Sequence, residues 1–310
     1  MTERSVSFTS HGHTLAGTLT LPDTTGPTAG VLMLPGSGRT NRDDNANKLA
    51  PNLFPPLVRA LTARGLATFR YDKRGVGASE GDYWSTGFHD RLSDAVAAVV
   101  WLAEQPEIDA RRVFVLGHSE GALLATRLAA GQAPVAGAVL LAGSAKSGEQ
   151  ILLWQGNRIT QTITGFTEWL ITALHIVPLK QQRKQIARIK ATTSDTVRVQ
   201  LVQKINAKWM REFLAYDPTA DLAAVKVPIL AITGAKDLQV DPADLDRMAE
   251  LIPTELERHL VPNVTHLLRA EHGQPSLRTY KNQIREPIDP RIIDYIRTWL
   301  DTHAHVEEPH

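Results

Sequence analysis

The segment Gly117-His118-Ser119-Glu120-Gly121 holds a serine between two glycines, where an apolar run gives way to a helical pattern. A serine on a sharp strand-to-helix turn takes a strained backbone conformation, and glycines remove the side chains that would clash across that turn. The hydroxyl then stands at the end of a strand and at a helix N-terminus, where free N–H groups favour developing negative charge. Ser119 is therefore predicted to be a nucleophile.

A serine nucleophile needs a base to take its proton, and the base needs an acid to orient it. In folds built around this turn, the acid and then the histidine follow the serine, each after a strand. The stretch ILAITGAKDLQV places Asp237 after one apolar run, and LERHLVPNVTHLL places His266 after the next. We predict Asp237 as the acid and His266 as the base.

Other acids and histidines lie close to this pair in the sequence. Asp241 and Asp244 come later than Asp237 and are predicted to begin the following helix. His259 lies inside the predicted strand, and His272 lies farther along the chain. They are the rival candidates for the acid and the base.

The small residues Pro35-Gly36-Ser37-Gly38 end an early apolar run. Such residues let the backbone approach a substrate and present N–H donors to a developing oxyanion. We expect the donors to be the backbone N–H of Glu120 and that of Ser37 or of the adjacent Gly38. A glycine-rich loop after a strand also suits phosphate. The chain contains neither GxGxxG nor GxxxxGK[ST], so a nucleotide site is not expected.

Positioning these residues requires short strands that alternate with helices. β-Branched runs and helical patterns do alternate, which predicts an α/β fold with a mostly parallel central sheet and helices on both faces. The first two strands are expected to form an antiparallel hairpin at one edge. The predicted strands are Ser5–Phe8, Thr14–Leu21, Gly30–Leu34, Ala67–Tyr71, Val113–Leu116, Ala138–Leu141, Ile229–Thr233 and Glu257–Val261. The predicted helices are Pro51–Arg64, Arg91–Glu104, Ala122–Ala130, Ala243–Leu251 and Pro290–His303.

The region from 144 to 216 breaks this alternation, since it shows aromatic and aliphatic clusters but no convincing strand. A segment of that length is too long for a bare loop in a compact domain. It is predicted to be a helical cap, or lid, inserted into a core formed by residues 1–143 and 217–310. Within it, Phe166 and Trp169 are predicted to line an apolar substrate pocket that faces Ser119.

The composition narrows the class of protein. The 310 residues are 43% hydrophobic, which is enough for a large core in one or two domains. The net charge is +1, so nucleic acid or an anionic membrane is not expected as the main partner. The absence of cysteine excludes disulfides and thiolate chemistry. No signal peptide or membrane span is predicted, and we expect a cytoplasmic protein. The sequence leaves its oligomeric state open.

Three motifs together point to a family. They are GHSEG, the loop Pro-Gly-Ser-Gly followed by Asn41-Arg42-Asp43, and YDKRGVGAS at 71–79. On these motifs the chain resembles the α/β-hydrolase superfamily over nearly its whole length, and within it the bacterial carboxylesterase branch near the S33 serine-aminopeptidase-like hydrolases. It departs from many members at Pro35, where they carry histidine. The resemblance implies a catalytic triad and an oxyanion hole that hydrolyse small-molecule carboxylic esters through an acyl-enzyme, with no metal or other cofactor. An apolar acyl pocket formed by the insertion would favour short to medium acyl chains.

Several other activities suit the same residues. A thioesterase, an acyltransferase or a peptidase would use the same triad, as would a cofactor-free haloperoxidase-like enzyme. A receptor-like protein that binds a small molecule, with incidental turnover, is the alternative from a different class.

Two supporting features complete the prediction. In YDKRGVGAS, Asp72, Arg74, Gly75 and Gly77 are expected to hold a tight loop beneath the site by hydrogen bonds to backbone. The carboxylate of Glu120 lies beside the nucleophile, where its charge would oppose an oxyanion, so we expect it to turn away and pair with Arg42 or Arg74.

Overall fold

The computed structural model describes residues 1–46, 49–161, 179–199 and 203–304. The strands in these residues are β1 (Thr2–Ser10), β2 (His13–Leu21), β3 (Thr28–Leu34), β4 (Ala67–Tyr71), β5 (Ile108–His118), β6 (Gly137–Leu141), β7 (Thr196–Val199), β8 (Gln203–Asn206), β9 (Ile229–Gly234) and β10 (Leu256–Val261). Eight of them form one sheet in the order β1-β2-β4-β3-β5-β6-β9-β10. Only the pairings β1–β2 and β2–β4 in this sheet are antiparallel. The predicted mostly parallel sheet, its eight strands and its edge hairpin are confirmed.

The α-helices of the described residues are α1 (Phe54–Thr62), α2 (Phe88–Ala103), α3 (Glu120–Arg127), α4 (Gly148–Gln161), α5 (Leu179–Ala191), α6 (Ala207–Ala215), α7 (Thr219–Ala223), α8 (Asp244–Leu251), α9 (Tyr280–Gln283) and α10 (Pro290–Ala304). The five predicted helices are confirmed, with ends shifted by a few residues. In the described part of the chain, none of the helices has both the length and the apolar character needed to cross a bilayer.

The strands β6 and β9 are buried at every position, and β3 at all but its first, because both faces of the sheet are covered. Successive side chains of a strand point to opposite faces. Val31 and Met33 of β3 therefore pack with α1 and α10 in one core, whereas Leu32 and Leu34 pack with α2 and α3 in the other. All four side chains are at most 1% exposed. Burying a side chain of this size contributes about 1.5–3 kcal/mol relative to leaving it exposed.

The segment between β6 and β9 contains α4, α5 and α6, as the helical prediction required, but it also contains strands. The prediction of no strand there was wrong, since β7 and β8 pair antiparallel. The alternating pattern of TVRV at 196–199 was the available signal. Val197 packs against a small cluster formed by Ile186, Ile189 and Leu214. The division into a core and a cap remains a prediction.

Candidate active site

Ser119 lies directly after β5 and caps the N-terminus of α3. Its backbone has φ 54° and ψ −112°, a conformation that costs about 1–3 kcal/mol for a residue other than glycine. A Cβ on Gly117 would lie 2.0 Å from the carbonyl oxygen of Gly121, and a Cβ on Gly121 would lie 2.0 Å from that of Leu34. Both glycines are therefore required for close backbone contact around the serine, which is the steric reason given for the motif.

Asp237 and His266 follow β9 and β10, which are parallel neighbours, so both residues emerge at the same edge of the sheet. The Nδ1 of His266 lies 2.8 Å from Oδ2 of Asp237, and both side chains are buried. The other carboxylate oxygen of Asp237 accepts the backbone N–H groups of Gln239 at 2.7 Å and Val240 at 3.0 Å. With Nδ1 donating to the carboxylate, the neutral ring presents Nε2 as its acceptor.

Two pockets meet at Ser119. The histidine-side pocket is lined by Gly36, Ser37, Thr40, Asp44, Ala46, Leu49, Pro51, His118, Ser119, Gln239, His266 and Leu267. The cap-side pocket is lined by Ser37, Ser119, Glu120, Leu123, Ala142, Ser144, Ile151, Leu152, Gln155, Trp209, Phe213, Gln239 and Val240. Ser119 and His266 thus share a pocket wall, although no hydrogen bond among the described residues joins the hydroxyl to the ring.

The backbone N–H groups of Ser37, Gly38 and Glu120 have no hydrogen-bond acceptor among the residues that the structure describes. Ser37 lines both pockets, whereas Gly38 lines neither. The loop that carries these groups is tied down at Gly36. Its N–H donates to Oδ1 of Asp44 at 2.9 Å, and its carbonyl accepts the hydroxyl of Thr40 at 2.8 Å as well as the ammonium of Lys73.

The carboxylate of Glu120 pairs with Arg91 of α2, so the predicted pairing with Arg42 or Arg74 was wrong. Nη1 of Arg91 lies 2.6 and 2.7 Å from the two oxygens of Glu120, and both side chains are buried. The guanidinium lies 5.3 Å from the ring centroids of both Tyr83 and Trp209. This arrangement neutralises the carboxylate beside Ser119. Distance along the chain did not identify this partner, because Arg91 lies closer to Glu120 in the sequence than the predicted Arg42 or Arg74.

Arg42 and Arg74 are engaged elsewhere, Arg42 with the YDKRGVGAS loop and Arg74 with α2. Arg42 binds Asp72 through Nη2 at 2.7 Å, and Arg74 binds Asp94 at 2.6 Å. Asp72 also accepts the backbone N–H of Arg42 at 2.9 Å and that of Ala78 at 3.2 Å, as the expected loop-holding role requires. Burial raises the pKa of the Asp72 carboxyl, but these hydrogen bonds outweigh it and the pKa is lowered overall.

His118, the residue before the serine, forms a second buried histidine–carboxylate pair that sequence reasoning missed. Its Nδ1 lies 2.7 Å from Oδ2 of Asp44, and its Nε2 lies 3.0 Å from the backbone carbonyl oxygen of His266. Both ring nitrogens therefore face acceptors, which only the imidazolium can satisfy. Burial lowers the pKa of His118, but the charge and hydrogen bond of Asp44 outweigh it and the pKa is raised overall. No signal in the sequence linked Asp44 to His118.

Three of the four rival candidates have other partners. Asp241 and Asp244 both bind the ammonium of Lys146, and Asp244 also accepts the hydroxyl of Ser144. His259 stacks on Tyr295 with 3.6 Å between ring centroids and lies 2.6 Å from Glu257.

Neither rival acid is within hydrogen-bonding reach of His266, and His259 and His272 line neither pocket. Phe166 and Trp169, predicted to line the substrate pocket, lie outside the described residues.

Comparison with known proteins agrees with this architecture. The chain is 28% identical to the esterase EstD of Thermotoga maritima over 289 residues, which is 92% of this chain and 65% of EstD. The α/β-hydrolase GrgF of Penicillium sp. sh18 superposes with a TM-score of 0.67 at 17% identity, covering 98% of this chain and 99% of GrgF. The esterase Pf2001 of Pyrococcus furiosus superposes with a TM-score of 0.65 at 17% identity, covering 98% of this chain and 92% of that one.

The two structural likenesses establish the fold alone, because identity at this level carries no information on substrate. The chain spans about two thirds of the length of EstD, so the activity of EstD is not transferred with the alignment. A family model described as serine aminopeptidase, S33, matches residues 52–273, which include Ser119, Asp237 and His266. This chain belongs to that family of α/β-hydrolases.

Proposed function

We propose that the protein hydrolyses carboxylic esters through an acyl-enzyme on Ser119. The observation that carries this proposal is the strained Ser119 sharing a pocket wall with His266, whose Nδ1 binds the buried Asp237. Nε2 of His266 takes the hydroxyl proton as Oγ attacks the ester carbonyl, and then gives it to the alcohol oxygen as the C–O bond breaks. Water repeats the sequence on the acyl-enzyme and releases the acid.

The two pockets receive different parts of the ester. His266 must reach the leaving oxygen, so the alcohol belongs in the histidine-side pocket and the acyl group in the cap-side pocket. The described apolar wall of the cap-side pocket includes Leu123, Ile151, Leu152 and Phe213. Each buried substrate methylene contributes about 0.8 kcal/mol. Binding of the acyl group therefore strengthens with each added methylene until the pocket is full, which favours short to medium chains.

The charges around the pockets favour an ester over the free amino terminus of a peptide. An aminopeptidase has to bind the substrate ammonium, and a carboxylate with no other partner suits that task. Glu120 and Asp44 are the carboxylates in the described linings of these two pockets. Glu120 is neutralised by Arg91, and Asp44 by His118. Neither is available for a substrate cation.

Covalent labelling tests the nucleophile. A fluorophosphonate should add one adduct to the protein, with peptide mapping to Ser119, and Ser119→Ala should abolish both labelling and hydrolysis of p-nitrophenyl butyrate by at least about a thousandfold. Ser37→Ala is the matched control, because it keeps the backbone N–H and removes only a hydroxyl. Equal loss in the two variants would contradict the assignment. Labelling without turnover of any ester would favour the receptor-like alternative.

A substrate panel tests the class of acyl compound. We expect kcat/KM for butyrate esters to exceed that for the matched thioester, for the anilide and for aminoacyl p-nitroanilides. Faster turnover of aminoacyl p-nitroanilides would replace the esterase proposal with a peptidase.

The acyl pocket is tested by changing its width at Leu152. Leu152→Ala should move the acyl-length optimum of kcat/KM to longer chains, and Leu152→Phe should move it to shorter ones. The adjacent Leu153 packs against the cluster around Ile186, as Leu152 also does, but it does not line the pocket. Leu153→Ala is therefore the matched control and should leave the optimum in place. An unchanged profile in both Leu152 variants would contradict the acyl assignment of this pocket.

A further inference from the structure

Lys73 is a buried cation beneath the loop that carries the proposed oxyanion donor. It follows β4 by two residues and is 5% exposed. Its ammonium donates to the carbonyl oxygen of Gly36 and lies 3.4 Å from that of Gly38. It also lies 4.0 Å from Oε1 of Glu120. Lys73 therefore touches the 35–38 loop through backbone carbonyls and reaches toward the first residue of α3.

The geometry of the peptide bond converts these contacts into an orientation. In a trans peptide the C=O and the following N–H point in opposite directions, and the described chain has no cis peptide. The carbonyl of Gly36 is held by Lys73 on the protein side, so the N–H of Ser37 is directed away from Lys73. That N–H has no acceptor among the described residues, and Ser37 lines both pockets at Ser119.

We propose that Lys73 is a positioning residue that fixes the Gly36–Ser37 peptide so that the N–H of Ser37 serves as an oxyanion donor. This inference rests on the proposed function. It also distinguishes Ser37 from Gly38 as the donor, because the peptide that Lys73 holds is the one that carries the Ser37 N–H.

The charge of Lys73 gives this role a dependence on pH. Burial lowers the pKa of Lys73 to about 8, against the opposing attraction of Glu120. The other charged groups that act on it are Arg91, which lowers the pKa further, and Asp44, which raises it. A charged donor forms a hydrogen bond about twice as strong as a neutral one. The contribution of Lys73 to holding the Gly36 carbonyl, which the hydroxyl of Thr40 also contacts at 2.8 Å, is therefore largest below the pKa and weakens as the pH rises through it.

The experiment compares Lys73→Met, which removes the donor, with Lys73→Gln, which keeps a neutral one. For Lys73→Met we expect kcat on p-nitrophenyl butyrate to fall by about 10²–10³-fold, as for loss of one oxyanion donor, with KM changed by less than about threefold. Lys73→Gln should recover at least about tenfold of that loss, because its amide can donate to the same carbonyl. Lys208→Met is the matched control, since its ammonium pairs with Asp90 at 2.7 Å instead of with the loop, and it should keep the unmodified kcat.

The pH profile separates positioning from mere structural support. In the unmodified protein kcat should fall by about three- to tenfold as the pH rises, with a midpoint near pH 8. Neither Lys73 variant should show this step. If Lys73→Met fails to fold, the profiles of Lys73→Gln and the unmodified protein decide the matter.

An unchanged kcat in the Lys73 variants, a loss confined to KM, or an alkaline step that survives in Lys73→Gln would overturn the role of Lys73. By contrast, an unmodified protein that neither hydrolyses esters nor labels at Ser119 would overturn the proposed function itself.

Discussion

Two buried histidine–carboxylate pairs lie side by side in this molecule, with ring centroids 4.9 Å apart. The distance from Nδ1 to the carboxylate is 2.8 Å in the His266–Asp237 pair and 2.7 Å in the His118–Asp44 pair. The difference lies at the other nitrogen. Nε2 of His118 faces a backbone carbonyl, whereas the structure gives Nε2 of His266 no protein acceptor among the described residues.

The comparison teaches that a carboxylate partner does not make a histidine a base. His118 uses both nitrogens as donors, so both of its N–H protons are held in hydrogen bonds. Its ring thereby connects the serine turn to the backbone of His266. Asp44 extends this tie to the loop through Gly36. In the proposed mechanism, His266 keeps one nitrogen for a proton from Ser119. We therefore assign a structural role to the His118–Asp44 pair and propose proton transfer for the His266–Asp237 pair.

The largest expected effect comes from removing the proposed base. In His266→Ala, kcat on p-nitrophenyl butyrate should fall by about 10⁴-fold or more, because no group then takes the serine proton. The free energy of unfolding, measured by urea denaturation, should fall less than for His118→Ala, because the Asp237 carboxylate keeps the backbone N–H groups of Gln239 and Val240 as donors. An active His266→Ala protein would require another base and would remove the distinction between the two pairs.

The second effect falls on stability. His118→Ala leaves the buried Asp44 carboxylate without its cation, so the free energy of unfolding should fall by about 3–5 kcal/mol. The folded fraction should retain far more kcat than His266→Ala. The double variant Asp44→Ala/His118→Ala should recover part of the lost stability, because no unpaired charge remains. A His118→Ala protein as stable as the unmodified one would contradict the structural role of the His118–Asp44 pair.

The third effect is the pH dependence of the stability that the His118–Asp44 pair contributes. The pKa of His118 in the folded protein is raised above its ordinary value of 6.5, under the influence of Asp44, the carbonyl of His266 and the charge of Asp237. Its stabilising contribution is thus fully present below about pH 6.5 and is lost as the pH rises through the raised value. The stability difference between the unmodified protein and His118→Ala should shrink over that range. A difference that grows with pH would reverse the assigned charge state.

The smallest effect concerns a third histidine–carboxylate pair, His259 with Glu257, in which both side chains are partly exposed. Exposed pairs of this kind contribute about 0–1 kcal/mol. His259→Ala should leave kcat/KM unchanged and should lower the free energy of unfolding by less than about 1 kcal/mol, allowing also for the lost stacking on Tyr295. A large loss of activity would mean that proximity to a carboxylate matters more than the comparison allows.

Much of the fold and of the serine turn was predicted from local sequence patterns. The eight sheet strands, the helix after Ser119 and the need for Gly117 and Gly121 follow from apolar periodicity and from sterics within a few residues. The short pair β7–β8 was missed, since its alternation lies within a segment whose basic and aromatic clusters favour helix. Asp237 and His266 were located because each follows a strand of the sheet, and parallel strands end at one edge.

Contacts between distant parts of the chain could be identified only from the tertiary structure. Asp44 meets His118 across 74 positions, Lys73 meets Gly36 across 37, and Arg91 meets Glu120 across 29. No periodicity links such residues, because their approach depends on how loops at several strand ends pack together. The sequence by itself determined the sheet and the serine turn through short-range sterics and burial. Which charged partner each buried polar group meets was decided only by tertiary packing, because an unpaired buried charge is costly and several partners were available in the sequence.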